Sequence, residues 1–341
     1  MAQSSGRQIV LRSVGHEVPD TVLDNAFFDE LDIGSDAGWI EDRVGIKERR
    51  SVLPRAAIMA LRKGEITRSE LLEQGKIISI ADMVVPAWQM VRERLPGDDQ
   101  PPVDTVISGT SVPDWDIPAH ASAIAAKLDL KGACFDTNSA CSSFVTDLHV
   151  ARGLLHCGAS DHLAVFNAER YTTRVDYSDR KSCVLFGDSA TAAYLQATTE
   201  KISGLRLVDT HVHSDPSGYD QVRLPVGGHF WQNGQAVQKF AVTRTVEAAL
   251  EVLDRNSLAM KDLSYLICHQ ANLRMLKMVT RKLGLEPDQH LSTVERYGNQ
   301  GASGAPTTLS ENWHRFQPGD LVVMAVVGSG LTWGAALFEA Q

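Results

Sequence analysis

Three short runs set chemically capable side chains on scaffolds of small residues: Asn138-Ser139-Ala140-Cys141-Ser142-Ser143, His269-Gln270-Ala271-Asn272-Leu273-Arg274 and Gly298-Asn299-Gln300-Gly301-Ala302-Ser303. A thiol, an imidazole and a carboxamide together suit covalent acyl transfer, which needs a nucleophile and hydrogen-bonding partners for it and its substrate. Cys141 follows the β-prone stretch Ala133-Cys134-Phe135 and precedes a helical apolar pattern at Phe144, Leu148, Ala151 and Leu155. It is therefore expected at a helix N-terminus, where free N–H groups and the helix dipole favour the thiolate. Taken singly, each residue has a plainer reading. Most cysteines are small core residues, a lone histidine is usually a satisfied core residue, and asparagine is natural in a glycine-rich turn.

What must position these residues is a repeated pattern. A buried-strand stretch at Val103–Ser108 leads to the cysteine turn, and a second at Leu263–Cys268 leads to the asparagine turn, with 34 positions from Ile107 to Cys141 and 32 from Ile267 to Asn299. Helix-like sequence follows each turn, the second with Pro306 near its start and Leu309 and Trp313 one turn apart. A β-rich run comes next in each case, His162–Phe166 and Leu321–Val327. Each series closes on a glycine-punctuated strand, Val184–Gly187 into Ala192–Leu195 and Leu331–Gly334 into Ala335–Phe338. Two similar α/β halves are expected, 1–200 carrying the cysteine and 201–341 carrying the histidine and asparagine. Equivalent turns could then meet at a pseudo-twofold axis. The stretch Pro54–Val85 lies outside this scheme; its Thr67-Arg68-Ser69-Glu70 reads as a capped helix start.

Composition narrows the class. With 42 acidic and 33 basic residues the net charge is −9, which argues against nucleic-acid binding over the whole surface, so an acidic partner needs a local basic patch. Five scattered cysteines without C-x-x-C pairing argue against a disulfide framework or structural zinc and for a reducing compartment. The N-terminal run Met1-Ala2-Gln3-Ser4-Ser5 lacks the apolar core of a signal peptide, and no uninterrupted apolar run reaches membrane-spanning length. A cytoplasmic protein without a membrane span is expected.

The three runs, together with Gly38-Trp39-Ile40, Arg43-Val44-Gly45-Ile46, Phe186-Gly187-Asp188 and Gly328-Ser329-Gly330-Leu331-Thr332-Trp333-Gly334, occur in an order that resembles the β-ketoacyl-acyl-carrier-protein synthase III family of the thiolase superfamily. The resemblance spans nearly the whole chain. It implies a thiolase-like α/β fold of two duplicated halves in a five-layered αβαβα arrangement, a homodimer, and a ping-pong decarboxylative Claisen condensation. Cys141 would take an acyl group from a thioester, and His269 and Asn299 would donate hydrogen bonds to a malonyl- or β-ketoacyl-type thioester on an acyl carrier protein. The backbone N–H groups of Cys141 and Ser329 would form the oxyanion hole. Trp39 and Arg43 would flank the adenine of coenzyme A, and Asn272 and Arg274 would contact the rest of the arm. Arg274, Lys277 and Arg281, at i, i+3 and i+7 of one helix, would form a basic stripe for carrier docking. No cofactor is implied, since coenzyme A and phosphopantetheine thioesters are substrates.

The sequence departs from the family pattern in four places. Ser329 replaces a glycine and would be strained if that position has positive φ. Ile117 stands where the family has a larger acyl-pocket gate, often phenylalanine from the other subunit. The stretch 224–240 is shorter than in relatives, and Pro54–Val85 is longer. These departures imply a specialised enzyme, of secondary metabolism, that accepts a larger acyl group. The alternative is an acyltransferase that forms the same acyl-cysteine without condensing. Other classes fit less well. Gly328-Ser329-Gly330 precedes strand-like sequence rather than a helix, unlike a dinucleotide loop. The pair His211-Val212-His213 has a metal-binding spacing, but no further ligand cluster is evident, so it reads as surface or pocket wall and no metal is expected. A non-catalytic scaffold subunit would be expected to lack the nucleophile or its partners, and all three are present.

Overall fold

The computed structural model describes residues 6–97 and 100–341, so the N-terminal run Met1–Ser5 lies outside the described residues. The chain opens with β1 (Gln8–Glu17), β2 (Thr21–Asp24), α1 (Asn25–Glu30), α2 (Ala37–Val44) and β3 (Glu48–Ser51). Three helices follow, α3 (Arg55–Lys63), α4 (Arg68–Glu73) and α5 (Ile80–Glu93). Then come β4 (Thr105–Gly109), α6 (His120–Leu128), β5 (Ala133–Thr137), α7 (Ser143–Cys157), β6 (His162–Glu169) and β7 (Ser189–Thr198). Beyond them lie β8 (Leu205–Ser214), the short ribbon β9 (Val222–Arg223) and β10 (Trp231–Gln232), and the long α8 (Gly234–Asp254). The chain finishes with β11 (Tyr265–Cys268), α9 (Leu273–Leu283), β12 (His290–Leu291), α10 (Val294–Tyr297), α11 (Gly304–Glu311), β13 (Leu321–Gly328) and β14 (Thr332–Ala340).

The main sheet runs β12-β11-β13-β14-β8-β1-β7-β6-β4-β5. Outward from its middle, β1-β7-β6-β4-β5 on one side and β8-β14-β13-β11-β12 on the other follow the same order of events. They join where only Val10↔Arg206 and Leu11↔Leu205 pair. Helices make the remaining layers. α5 covers β1 and β7, with α6 beside it. α7 packs against β6 on one side and β8 and β14 on the other, and α11 against β1, β7 and β11. α8 covers β13 and β14 from outside, and α9 packs against α8. The result is five layers, αβαβα, as the resemblance implies.

Strand β13 (LVVMAVVG) is buried almost throughout, as a central strand with helices on both faces should be. α7 buries Phe144, Leu148, Ala151 and Leu155, the predicted apolar face, and ends on Gly158 at φ 75°. Val184–Gly187 is a correction to the sequence reading. It is a turn with one bridge residue, and the strand begins only at Ser189. Its buried Asp188 accepts hydrogen bonds from the N–H groups of Val52 and Thr172 at 2.8 and 2.9 Å, which holds the segment off the sheet. The Thr67–Glu70 capping box forms as read. It opens α4, whose Leu71 joins Ile58 of α3 in the same apolar cluster as Phe186 and Phe230. No helix among the described residues is long and apolar enough to cross a membrane.

Candidate active site

The cysteine turn is built by its own small polar residues. Asn138 Oδ1 accepts from the Ala140 N–H at 3.0 Å, Ser143 Oγ accepts from the Ser139 N–H at 3.0 Å, and the Ser142 and Ser143 hydroxyls donate back to the carbonyls of Ser139 and Ala140 at 2.6 and 2.8 Å. These bonds hold Ala140 at φ 51°, a left-handed conformation that costs a non-glycine residue about 1–2 kcal/mol. A sharp 3-10 turn, Ala140–Ser142, then presents Cys141 just ahead of α7. From the other half, Gly328 ends β13 against this turn. A Cβ there would lie 2.5 Å from the Ser139 carbonyl oxygen, so only glycine permits the approach.

His269 extends β11 by one ladder bond, its N–H donating to the Ala325 carbonyl at 3.0 Å. The next residue, fully buried Gln270, donates to the Cys268 carbonyl at 2.7 Å and accepts from Ser292 Oγ and the N–H groups of Thr293 and Val294 at 3.0–3.2 Å. One side chain thus ties the histidine segment to the chain leading into the asparagine turn. That turn docks on the opposite half: Asn299 donates its N–H to the Leu185 carbonyl at 2.8 Å and receives the Gly187 N–H at 3.0 Å. The Asn299 Oδ1 accepts from the Gly301 N–H at 3.0 Å. With its oxygen occupied, the amide has its NH2 group left to offer.

Cys141, His269 and Asn299 line one cavity of about 360 Å3, and Phe186 and Phe230 form part of its apolar wall. The cavity changes the charge state of its groups. Burial pushes the Cys141 thiol up to about 12, and the buried Glu169 carboxylate adds to the rise. The expectation of a resting thiolate at a helix N-terminus is thereby corrected: desolvation and a nearby acid outweigh one turn of helix dipole. Burial pushes Glu169 itself up to about 8, although Ser111 and Ala302 donate backbone N–H groups to it. Burial also drives His269 down to about 4, so its imidazole is neutral at physiological pH. Among the described residues its Nδ1 is buried without a hydrogen-bond partner.

Trp39, Arg43, Asn272 and Arg274 line the same cavity. Asn272 also caps α9, its side chain accepting from the Met275 N–H at 2.9 Å. Lys181 is a further cation at the cavity, and Arg180 sets its guanidinium 4.8 Å above Trp39, nearer than Arg43 at 5.8 Å. Neither stood out in the sequence, where they are only a charged pair in a polar loop. Arg43, Lys181 and Arg274 are exposed and form no ion pair among the described residues. Lys277 and Arg281 are exposed on the same helix as Arg274 but border a separate depression. Two further residues of the sequence reading lie outside this lining. Ser329 does not have a positive φ, so the anticipated strain is absent; its hydroxyl donates to the Val222 carbonyl at 2.7 Å, and it is not among the cavity-lining residues. Ile117 does not reach the cavity of its own chain. It lies on the loop before α6 and is 85 % exposed.

The chain is similar to known proteins over nearly its whole length. The profile of 3-oxoacyl-[acyl-carrier-protein (ACP)] synthase III matches residues 135–216, and that of its C-terminal region matches 253–340. A β-ketoacyl-[acyl-carrier-protein] synthase III of Rhodospirillum centenum is 34 % identical over 339 residues, covering 96 % of this chain and 98 % of its own. The crystal structure of 3-oxoacyl-[acyl-carrier-protein] synthase III from Aquifex aeolicus superposes with a TM-score of 0.84 at 28 % identity, covering 97 % and 99 % of the two chains. The priming β-ketosynthase of the R1128 polyketide pathway superposes with a TM-score of 0.82 at 26 % identity, covering 98 % and 97 %.

Proposed function

Because the chain belongs to the 3-oxoacyl-[acyl-carrier-protein] synthase III family, we propose that it is a ketosynthase that joins an acyl group held on Cys141 to a malonyl-type unit carried by an acyl carrier protein. The observation that carries this reading is one cavity lined by a thiol, a neutral imidazole and an amide whose oxygen is already hydrogen-bonded. In the first stage the Cys141 sulfur attacks the thioester carbonyl. A new C–S bond forms, the old one breaks, and the thiol proton ends on the departing thiol. Since the resting thiol is protonated, proton loss accompanies attack, and backbone donors at the cysteine turn stabilise the developing oxyanion.

In the second stage the malonyl thioester loses CO2, and the electron pair of the breaking C–C bond passes into the thioester as an enolate. The His269 N–H and the Asn299 NH2 donate to the oxygen that gains this charge. The enolate carbon then attacks the acyl-cysteine, and the Cys141 sulfur leaves. A neutral imidazole keeps one N–H and so can serve as this donor, whereas an ionised aspartate at position 299 could only accept. The unpaired Arg43, Lys181 and Arg274 suit phosphate groups of the pantetheine arm and an acidic carrier surface, with Lys277 and Arg281 extending the basic stripe.

The acyl group is larger than acetyl, and the role is a specialised one of the polyketide type. Two features support this: the small Ile117 at the position of the family's gate, and the Pro54–Val85 insertion, whose Ile58 and Leu71 pack in the cluster containing Phe186 and Phe230. The exposed Ile117 would act across a homodimer, as the gate does in the family. Intact-protein mass spectrometry after incubation with a panel of acyl thioesters tests this. Adducts on Cys141 from medium-chain donors are expected, and labelling by acetyl donors alone would overturn the substrate assignment. Carbon dioxide release from malonyl carrier protein separates condensation from simple acyl transfer.

A further inference from the structure

Outside this machinery, the strand β8 and the helix α8 bring together three potential ligands. His211 and His213 are two residues apart on a strand and so project from one face. Opposite them on α8 stand Ala248 and Glu251, three residues apart and neighbours on the helix surface. His211 is 2 % exposed, and its Nε2 lies 3.1 Å from the Ala248 carbonyl oxygen. That oxygen can only accept, so Nε2 carries the proton and Nδ1 is a bare lone pair. This Nδ1 is buried, has no hydrogen-bond partner among the described residues, and lies 3.7 Å from Glu251 Oε1. The His213 Nε2 sits 2.9 and 3.0 Å from the two Glu251 oxygens, and the ligand atoms of all three residues fall within 4.8 Å of one another.

We propose that His211 Nδ1, His213 Nε2 and the Glu251 carboxylate form a binding site for a divalent transition-metal ion of the zinc class. Bonds of about 2.0–2.2 Å to such an ion separate tetrahedral ligand atoms by roughly 3.3–3.6 Å. Two of the three edges are already near that range. A histidine whose far nitrogen is fixed by a backbone carbonyl is the arrangement that orients metal ligands, and it explains why a buried nitrogen is left without a partner. Two imidazoles and one carboxylate suit zinc or cobalt better than calcium or magnesium, which take oxygen ligands. The nearest cation, Arg255, is 4.0 Å from Glu251, but its Nε and Nη2 are spent on Asp209 at 2.9 and 3.1 Å. Exposure of His213 leaves a side for solvent or an exogenous ligand. The ion would fasten α8 to β8, and the first turns of α8, through Val237 and Ala241, line the active-site cavity.

The test uses the full chain, stripped with chelator, and titrates it with Zn2+ and with Co2+. One ion per chain is expected, with a zinc-dependent rise in melting temperature and a cobalt spectrum free of thiolate charge-transfer bands. His213→Ala and Glu251→Gln, which change exposed or half-exposed side chains and leave the core intact, should each weaken binding on the order of 10- to 100-fold or more and abolish the rise in melting temperature. Unchanged affinity in both variants, a thiolate band from one of the five cysteines, or no stoichiometric binding at micromolar zinc would overturn the proposal.

Discussion

The turn that presents Cys141 and the turn that presents Asn299 occupy corresponding places on the two sides of the sheet, each entering a helix of the middle layer, yet they are stabilised in opposite ways. The cysteine turn is bound up within itself by Asn138, Ser142 and Ser143 and holds the left-handed Ala140. The asparagine turn leans on the other half, bonded to Leu185 and Gly187, and relies on glycine at φ 66° and 57° on either side. Their chemical outcomes diverge as well. Burial in the shared cavity raises the thiol and hinders the charged nucleophile, while it lowers His269 and preserves the neutral donor. Burial in one cavity therefore works against the first stage and for the second, and directed hydrogen bonding must make up the difference.

Substitutions can separate the two turns. The largest expected effect is that of Cys141→Ala, which should reduce condensation on the order of 10^4-fold or more and abolish the acyl adduct seen by mass. His269→Ala and Asn299→Ala should each lower carbon dioxide release from malonyl carrier protein by about 10^2- to 10^3-fold while the acyl adduct on Cys141 still forms. If the adduct were lost equally, the two turns would not be functionally distinct. Arg274→Ala should raise KM for the carrier-bound substrate roughly three- to tenfold with kcat little changed, an effect that shrinks at high salt.

The smallest effects are in pH dependence. With His269 depressed to about 4, its protonated fraction stays small above that pH, so carbon dioxide release should show no acidic limb between about pH 5 and pH 7. Alkylation of Cys141 by iodoacetamide should instead be slower than that of a free small thiol at pH 7.5 and climb with pH well beyond it. Glu169→Gln should shift that climb to lower pH by removing a negative charge that opposes the thiolate. The gain, roughly two- to threefold, should appear mainly above about pH 8, where Glu169 ionises.

Much of this was legible in the chain. The apolar stripe of α7, the buried run of β13 and the small polar residues around Cys141 carry their structure locally, so periodicity and turn chemistry suffice to read them. Gln270 was visible only as a letter inside a motif, because its role depends on three groups more than twenty residues away. Arg180 gave no signal, since its place over Trp39 follows from how its loop meets helix α2. Glu251, likewise, is separated from His213 by 38 positions and a change from strand to helix.

By itself the sequence determined which groups are available and the order of elements that carries them, because strand and helix periodicities and tight turns are properties of neighbouring residues. Tertiary structure alone decided their chemical state. The height of the Cys141 pKa, the neutrality of His269, the direction of the Asn299 amide and the exposure of Ile117 all depend on which distant segments exclude water or supply a hydrogen bond. Desolvation and hydrogen-bond direction are relations across space, which no local pattern encodes.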